Sequence, residues 1–538
     1  MSATIQPPRT RWVRDPSRAF DREALRERLL GAPVRFGAWG WIVPLAVALL
    51  AGILRFWNLG HPHALIFDET YYVKDAYTLL QSGYERQWPE GANDAFTAGN
   101  PAPLDAAAYV VHPPLGKWLI ATGMMLFGTD NGLGWRFAPA FFGTLSVLLL
   151  ALVAQRMFSS VVLGGLAGAL LAIEGHHLVQ SRTALLDVFV MFFALAAFWA
   201  LVEDRFDGRR RLADRLAAAA GANGGTPPAS LLLYGPWMPW RPWRLAAGVL
   251  LGCALGVKWS SLAFVAVFGL MTVLWDVQAR RAAGVRHWFL GAVFREGVPA
   301  FLTIIPAAAL TYLATWTGWL ATSGGYGRDW AATNPSDVWG WLPPWLRSLA
   351  EYHRSAYSFH QGLHSDHQWE SSPWSWLFAG RPVLFWIDTS TQGDPGCSVS
   401  SCFAVVTDLP NPVIWWSATL ALPVVLLFWI GRRDWRAGAI LSGLLAGYLP
   451  WFAYPERTMF FTYTIAFGPF MVLALTYVLG MVAGGPGTPP DRRRAGLLAV
   501  GLFVAFAVLV SAFFLPVWTG GTLPYELYRL RVWMPSWG

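Results

Sequence analysis

Charge is scarce in this chain. Asp, Glu, Lys and Arg make up 13% of 538 residues, while hydrophobic residues make up 55% and mean hydropathy is +0.39. That balance is too apolar for a soluble protein of this size. No P-loop and no GxGxxG occurs, so use of a nucleotide or nucleotide sugar has no support, which favours a lipid-linked donor. No cleavable signal is visible; the first 37 residues carry eight Arg and read as a loose or amphipathic cytoplasmic tail, with the first span as an uncleaved anchor. The net charge of +8 does not imply nucleic acid, because the basic residues lie in short clusters between apolar spans.

What is abundant is tryptophan, 32 residues, as expected where many helix ends sit in the interfacial belts. Placing the tail inside gives inner segments that hold 26 of the 40 Lys and Arg, including GRRRLADRL, GRRDWR and DRRR. The spans that satisfy this alternation are about 38–56, 134–155, 160–175, 184–202, 244–257, 260–275, 297–316, 412–430, 436–453, 458–481 and 495–516. Eleven crossings put the segment 517–538 outside. LGKWLIATGMMLFG (Leu115 to Gly128) is apolar but short. It reads as a helix in the outer leaflet, with a true span as the alternative. The expected class is an all-α polytopic membrane protein: a core over 38–316, further helices over 412–516, and two large outer loops, 57–133 and 317–411.

Asp68 and Glu69 stand about a dozen residues past the first span, in LGHPHALIFDETYYVKDAY. A carboxylate pair so near a membrane surface is costly unless it faces water, a partner or a substrate. On this topology His112, Lys117, Arg136, Arg182, Asp187, Lys258, Arg381, Glu456 and Arg457 also fall at or just beyond outer helix ends. Singly, each reads as an interfacial anchor. Together on one face they suggest a site for an anionic, membrane-embedded substrate, with cations for a phosphate and a carboxylate to deprotonate a hydroxyl.

The second outer loop is too long to be structureless and is expected to be a folded cap with short helices. Cys397 and Cys402 lie in it, in DPGCSVSSC, where a local disulfide or two thiols are both open; Cys253 reads as packing in a span. His176 and His177 are adjacent and diverge on a helix, a poor metal pair. His364 and His367, in HSDHQW with Trp369, have i,i+3 spacing and could hold a divalent cation on a helix. No third ligand is evident, and no cofactor is expected.

Four segments carry a family resemblance. FDETYYVKDAY, VHPPLGKWLI, GWRFAPAFFGTLSVLLLALVAQRMF and SRTALLDVFVMFFALAAF, in that order, closely resemble the protein O-mannosyltransferases of the GT-C superfamily. YPERTMFFTYTIAFGPFMVLAL and WESSPWSWLFAGRPV are similar to the actinobacterial branch. The resemblance runs from Trp41 to the last span, and the family's eleven-span layout agrees with the charge count. The second loop has no room for the β-trefoil MIR domain of eukaryotic members.

The resemblance implies inverting transfer of mannose from polyprenyl-phosphate-mannose to Ser or Thr hydroxyls of secreted, unfolded polypeptides at the outer face of the plasma membrane. Membrane lipids, and the secretion channel, are the further expected partners. Asp68 is the expected base, with Glu69 holding the acceptor or orienting Asp68. Lys117, Arg136 and Arg457, with Arg182 and Lys258 behind them, are expected to bind the leaving phosphate. His112, Asp187, His364, His367, Trp369 and Arg381 are expected donor or acceptor contacts. Two rivals stand: a GT-C enzyme with a glycolipid or cell-wall glycan acceptor, and a proton-coupled transporter, against which no inverted repeat is seen.

Overall fold

The computed structural model describes residues 20–32 and 34–538. Its chain is predominantly helical, and among the described residues six helices are long and apolar enough to cross a membrane. They are α2 (Trp39–Phe56), α5 (Gly132–Phe158), Trp259–Ala282 (mostly α10, Leu262–Ala282), Trp288–Thr315 (ending in α11, Val298–Thr315), α13 (Pro412–Arg432) and α16 (Pro490–Thr519). A seventh span exists if α6 (Val161–Ala172) and α7 (Gly175–Ser181), which meet at 65°, are taken together.

Of the other predicted spans, 184–202 lies within α8 (Asp187–Gly221), whose Asp187, Glu203 and Asp204 make it more polar than a simple anchor. Those at 244–257 and 436–453 are the short helices α9 (Pro242–Val257) and α14 (Trp435–Tyr448). The span expected at 458–481 is helical only over α15 (Gly468–Ala483). Its first part is a 3-10 turn, Phe461–Ala466, whose aromatic side chains pack under the cap.

The two ends of this core differ. At one, α1 (Arg22–Leu30) lies on the second half of α8: Leu25 and Leu29 meet Leu212, Ala213 and Leu216, and Arg26 pairs with Asp214 at 2.8 Å. Asp21 caps α1 by accepting from the amides of Glu23 and Ala24. Close by, Asp204, Asp276 and Glu296 interlock with Arg241, Arg244 and Arg280 in a buried cluster. One π-helical turn, Val293–Gly297, carries Glu296 into it.

At the other end lie α3 (Glu69–Ser82), α4 (Leu115–Phe127) and the cap. Gly83 ends α3 in the left-handed region, φ 77°, where glycine has no Cβ to clash. Gly132, at the start of α5, meets Gly60 so closely that a Cβ would lie 2.7 Å from the Gly60 carbonyl oxygen. The chain thus leaves α2 and enters α5 at the same level. Lys117, in the first turn of α4, donates to the carbonyl of His112 and pairs with Glu85, both in the stretch between α2 and α5. Both ends of α4 therefore lie at this face, and thirteen residues rise only about 20 Å.

The cap adds a small sheet to the otherwise helical fold. Besides α12 (Pro344–Gln361) it holds an antiparallel sheet in the order β1 (Val383–Ser390), β2 (Cys402–Asp408), β3 (Thr522–Pro524). β1 and β2 are runs of β-branched and aromatic residues, favoured on a half-buried pleated surface. Cys397 and Cys402 form the disulfide beside their turn, with Cα atoms 5.8 Å apart. β3 comes from the segment beyond α16, which folds back until Trp537 Nε1 donates to the Ala379 carbonyl at 2.7 Å. That segment and α1 are at opposite ends of the core. At the end of β2, Asp408 accepts from Gln180 at 2.8 Å and bonds His176 Nδ1 at 2.6 Å, fixing the sheet to α7.

Candidate active site

Glu69 is wholly buried and saturated. Its carboxylate accepts from Arg136 Nε and Nη2, both at 2.8 Å, from the Ala184 amide at 2.8 Å and from the Ile66 amide at 3.0 Å. Arg136 gives its remaining N–H groups to the carbonyls of Pro62 and Ala64, each at 2.9 Å, and of Leu59 at 3.4 Å. This corrects the expectation that Arg136 binds phosphate: it is a bidentate clamp on the start of α3 with no donor to spare. Arg182 is corrected likewise. Its guanidinium binds the carbonyls of Arg55 and Trp57 at 2.9 and 2.7 Å, and closes the end of α2.

The clamp sets the aim of Asp68. Phe67, immediately before it, has φ 48°, a left-handed conformation costly for a bulky residue. Asp68 is partly exposed, and its one side-chain bond is a long 3.4 Å contact from the Tyr72 hydroxyl, one helical turn on. Burial pushes its pKa up to about 6, with Asp187 adding to the rise and Lys258 and the Tyr72 bond opposing it. A carboxylate so poised is ionised at neutral pH and basic enough to take a proton.

Lys258, whose charge acts on Asp68, shares one aromatic ring with a second cation. Lys258 pairs with Asp187 at 2.7 Å, and its Nζ lies 5.5 Å from the centre of Tyr463. Arg457 lies 5.7 Å from Tyr463 and 5.6 Å from Trp451, which stack on each other at 4.6 Å. Its Nε is buried without a partner, and among the described residues no ion pair engages its guanidinium, Glu456 included. Lysine occurs only at 74, 117 and 258, and Lys74 and Lys117 also lie between α2 and α5.

Lys117 is corrected as a phosphate ligand. It is buried against Glu85, with Asp75 at 4.0 Å, and already has its anions. Burial, reinforced by Glu85, raises Asp75 to about 7 against Lys117. His112 sits 5.2 Å from His360 of α12, ring to ring, and 6.1 Å from Tyr72. Burial first, and then Lys258, drive His112 well below the usual imidazole range; burial and Arg457 lower His360 to about 4. Both rings are neutral at physiological pH and offer hydrogen bonds without charge.

His364 and His367 lie in extended chain rather than on a helix. His364 Nδ1 is engaged with the Glu456 carbonyl, while His367 accepts from the Trp369 amide at 3.1 Å and packs edge-on to Phe460. They brace the irregular segment on either side of Arg457. Among the described residues no group of three His, Cys, Asp or Glu converges as metal ligands. Trp369 packs against the core, and Arg381 is exposed at the start of β1, apart from the cluster. Sequence reasoning missed Tyr72, Tyr463 and His360. Tyr72 was findable, because i,i+4 from Asp68 shares its helical face; His360 reaches the site only through the fold of the cap.

A helical membrane core bearing an acidic residue and cations under a cap on one face agrees with the GT-C glycosyltransferase layout that the sequence resemblance implied. The fold is that of the S. cerevisiae Pmt1–Pmt2 protein O-mannosyltransferase complex bound to its sugar donor: TM-score 0.71, 15% identity, 96% of this chain and 94% of that one covered. Residues 104–220 match the model of the dolichyl-phosphate-mannose–protein mannosyltransferases, and residues 345–537 the C-terminal four-TM region of protein O-mannosyltransferases. Polyprenol-phosphate-mannose–protein mannosyltransferases are 39% identical in Mycolicibacterium smegmatis (93% of both chains) and in Mycobacterium tuberculosis (93% of this chain, 92% of that one). The relative from Corynebacterium glutamicum is 33% identical, over 98% of this chain and 99% of its own. The chain belongs to the protein O-mannosyltransferase family.

Proposed function

We propose that this protein transfers mannose from polyprenyl-phosphate-mannose to Ser and Thr hydroxyls of unfolded polypeptides, at the face that carries the cap, and that this face is extracytoplasmic. The observation that carries the reading is Asp68, held by one long bond and acted on by Lys258, which shares the ring of Tyr463 with Arg457. Asp68 takes the proton of the acceptor hydroxyl as its oxygen attacks C1 of the sugar. The bond from C1 to the phosphate oxygen breaks, its electron pair leaves with the polyprenyl phosphate, and the configuration at C1 inverts. Arg457 and Lys258 stabilise the charge that develops on the departing phosphate, so no acid is needed there.

The prenyl chain has a place. A cavity of about 610 Å³, lined by Leu262, Val265, Leu270, Phe301 and Ile305 among others, runs between α10 and α11. Leu262 lies one helical turn beyond Lys258, so a lipid tail in this groove leaves its phosphate near the two cations. The apolar lining suits a hydrocarbon chain.

The test is purified protein with radiolabelled polyprenyl-phosphate-mannose and a Ser/Thr/Pro-rich peptide. Labelled peptide is the expected product, absent with Asp68→Asn. Label appearing only in added glycolipid would transfer the assignment to a glycan-directed enzyme of the same fold.

A further inference from the structure

We propose that Phe385 is a positioning residue for the base: the β1 bulge presses its ring onto Phe67 and so holds the left-handed turn that presents Asp68. This rests on the reading of Asp68 as base. The β1–β2 register slips between Leu384 and Trp386, which leaves Phe385 as the extra residue. A bulge redirects a side chain out of the strand's alternation. Phe385 is buried and stacks on Phe67, centroids 4.7 Å apart and planes within 10°. Phe460 closes the other side of Phe67 edge-on at 5.9 Å.

Phe67 needs such a vice. With φ 48° its backbone is in a region that bulky residues leave unless neighbours fix them there. Thr70 gives part of that restraint, its hydroxyl donating to the Phe67 carbonyl at 2.9 Å. The side-chain part comes from the sheet, and the sheet is a firm support because Asp408 ties β2 to His176 and Gln180. Removing the Phe385 ring frees Phe67 to relax, turns Asp68 away from the acceptor and admits water around its carboxyl. The charged and titratable groups that act on Asp68 are Tyr72 on α3 and Asp187 and Lys258 at the mouths of α8 and α9, with His112 packed on Tyr72. All of them remain in the variant.

Phe385→Ala is expected to lower turnover about tenfold to a hundredfold, the scale of a small misplacement of a reacting group. The KM for the lipid donor should stay within about twofold, because Lys258 and Arg457 are untouched. The midpoint of the acid limb of the pH–rate profile should move to lower pH, since a hydrated carboxyl loses its proton more readily. Phe385→Tyr, which keeps the ring, should restore both turnover and midpoint. Phe385→Leu keeps the core filled without a planar ring and covers the case in which the alanine variant does not fold. A folded Leu or Ala variant with wild-type turnover and an unmoved acid limb overturns the proposal. Asp68→Asn, run in parallel, separates the two readings: activity retained there removes Asp68 as the base, whatever Phe385 does.

Discussion

At the end of the core where α1 packs, Asp204, Asp276 and Glu296 meet Arg241, Arg244 and Arg280; at the capped end Asp68 and Asp187 meet Lys258 and Arg457. In the first cluster every carboxylate has an arginine and the signs balance. Arg241 alone reaches Asp204 at 2.6 Å and Asp276 and Glu296 at 3.4 Å. In the second, Lys258 and Asp187 satisfy each other, while among the described residues Asp68 keeps a single long bond and Arg457 meets no carboxylate. Both gather opposite charges in an apolar protein, but in the first only the Nε of Arg280 is left over, whereas the capped one leaves both an acid and a cation with most of their valence. Unspent hydrogen-bonding capacity, rather than the presence of charge, separates a site from a rivet. Glu69 and Arg136, two residues from the capped site's own list, fall on the rivet side.

The largest effect that sharpens this contrast is at Asp68. Asp68→Asn keeps shape and removes the base, so turnover should fall by about 10²–10⁴ with donor binding retained, scored with the radiolabelled donor. In the wild type, the base must be ionised, so the rate should rise with pH through about 6 and be lost below it.

Next come the saturated pairs. Glu69→Gln or Asp276→Asn leaves a buried guanidinium short of its anion, which costs about 3–5 kcal/mol and should appear as a lower unfolding temperature in detergent. Glu69→Gln with Arg136→Met should regain part of that stability. If Asp276→Asn changed donor KM at unchanged stability, the division between the clusters would be wrong.

Arg457→Ala is expected to raise donor KM about tenfold with peptide KM unmoved, as loss of one charge-assisted phosphate contact requires. Arg457→Lys should recover part of the loss. An effect confined to the peptide KM would reassign Arg457 to the acceptor. The smallest effect is at the hairpin turn. Replacing Cys397 and Cys402 with serine removes a short-loop crosslink, worth no more than about 3 kcal/mol, and should leave turnover within twofold.

The helical core was legible because apolar runs bounded by arginine have few other readings; α2, α5, α13 and α16 stand close to their expected places. The weaker segments were not. Over 458–467 the chain is apolar yet not a regular α-helix, since its aromatic residues pack beneath the cap instead of facing lipid. The cap sheet was hidden for a related reason: β1 finds its partners at Cys402–Asp408 and, through them, at Thr522–Pro524, pairings no local pattern encodes. In the site, the residue types were readable but their partners were not. Arg136, Arg182 and Lys117 have the same helix-end signature as Lys258. Whether each faces a carboxylate, a carbonyl or open space depends on chain segments far away in sequence.

The strand Thr522–Pro524 gives the enzyme a sense of time. Asp68 and its clamp belong to the first third of the chain, whereas the roof over Phe67 gains its third strand only from the stretch beyond α16. During synthesis, then, the proposed base is made long before the sheet packed over Phe67 can be finished. Only after the helix Pro490–Thr519 has been made and the following residues have doubled back does that sheet gain its third strand. A nascent chain halted before that point carries Asp68 in a half-built room.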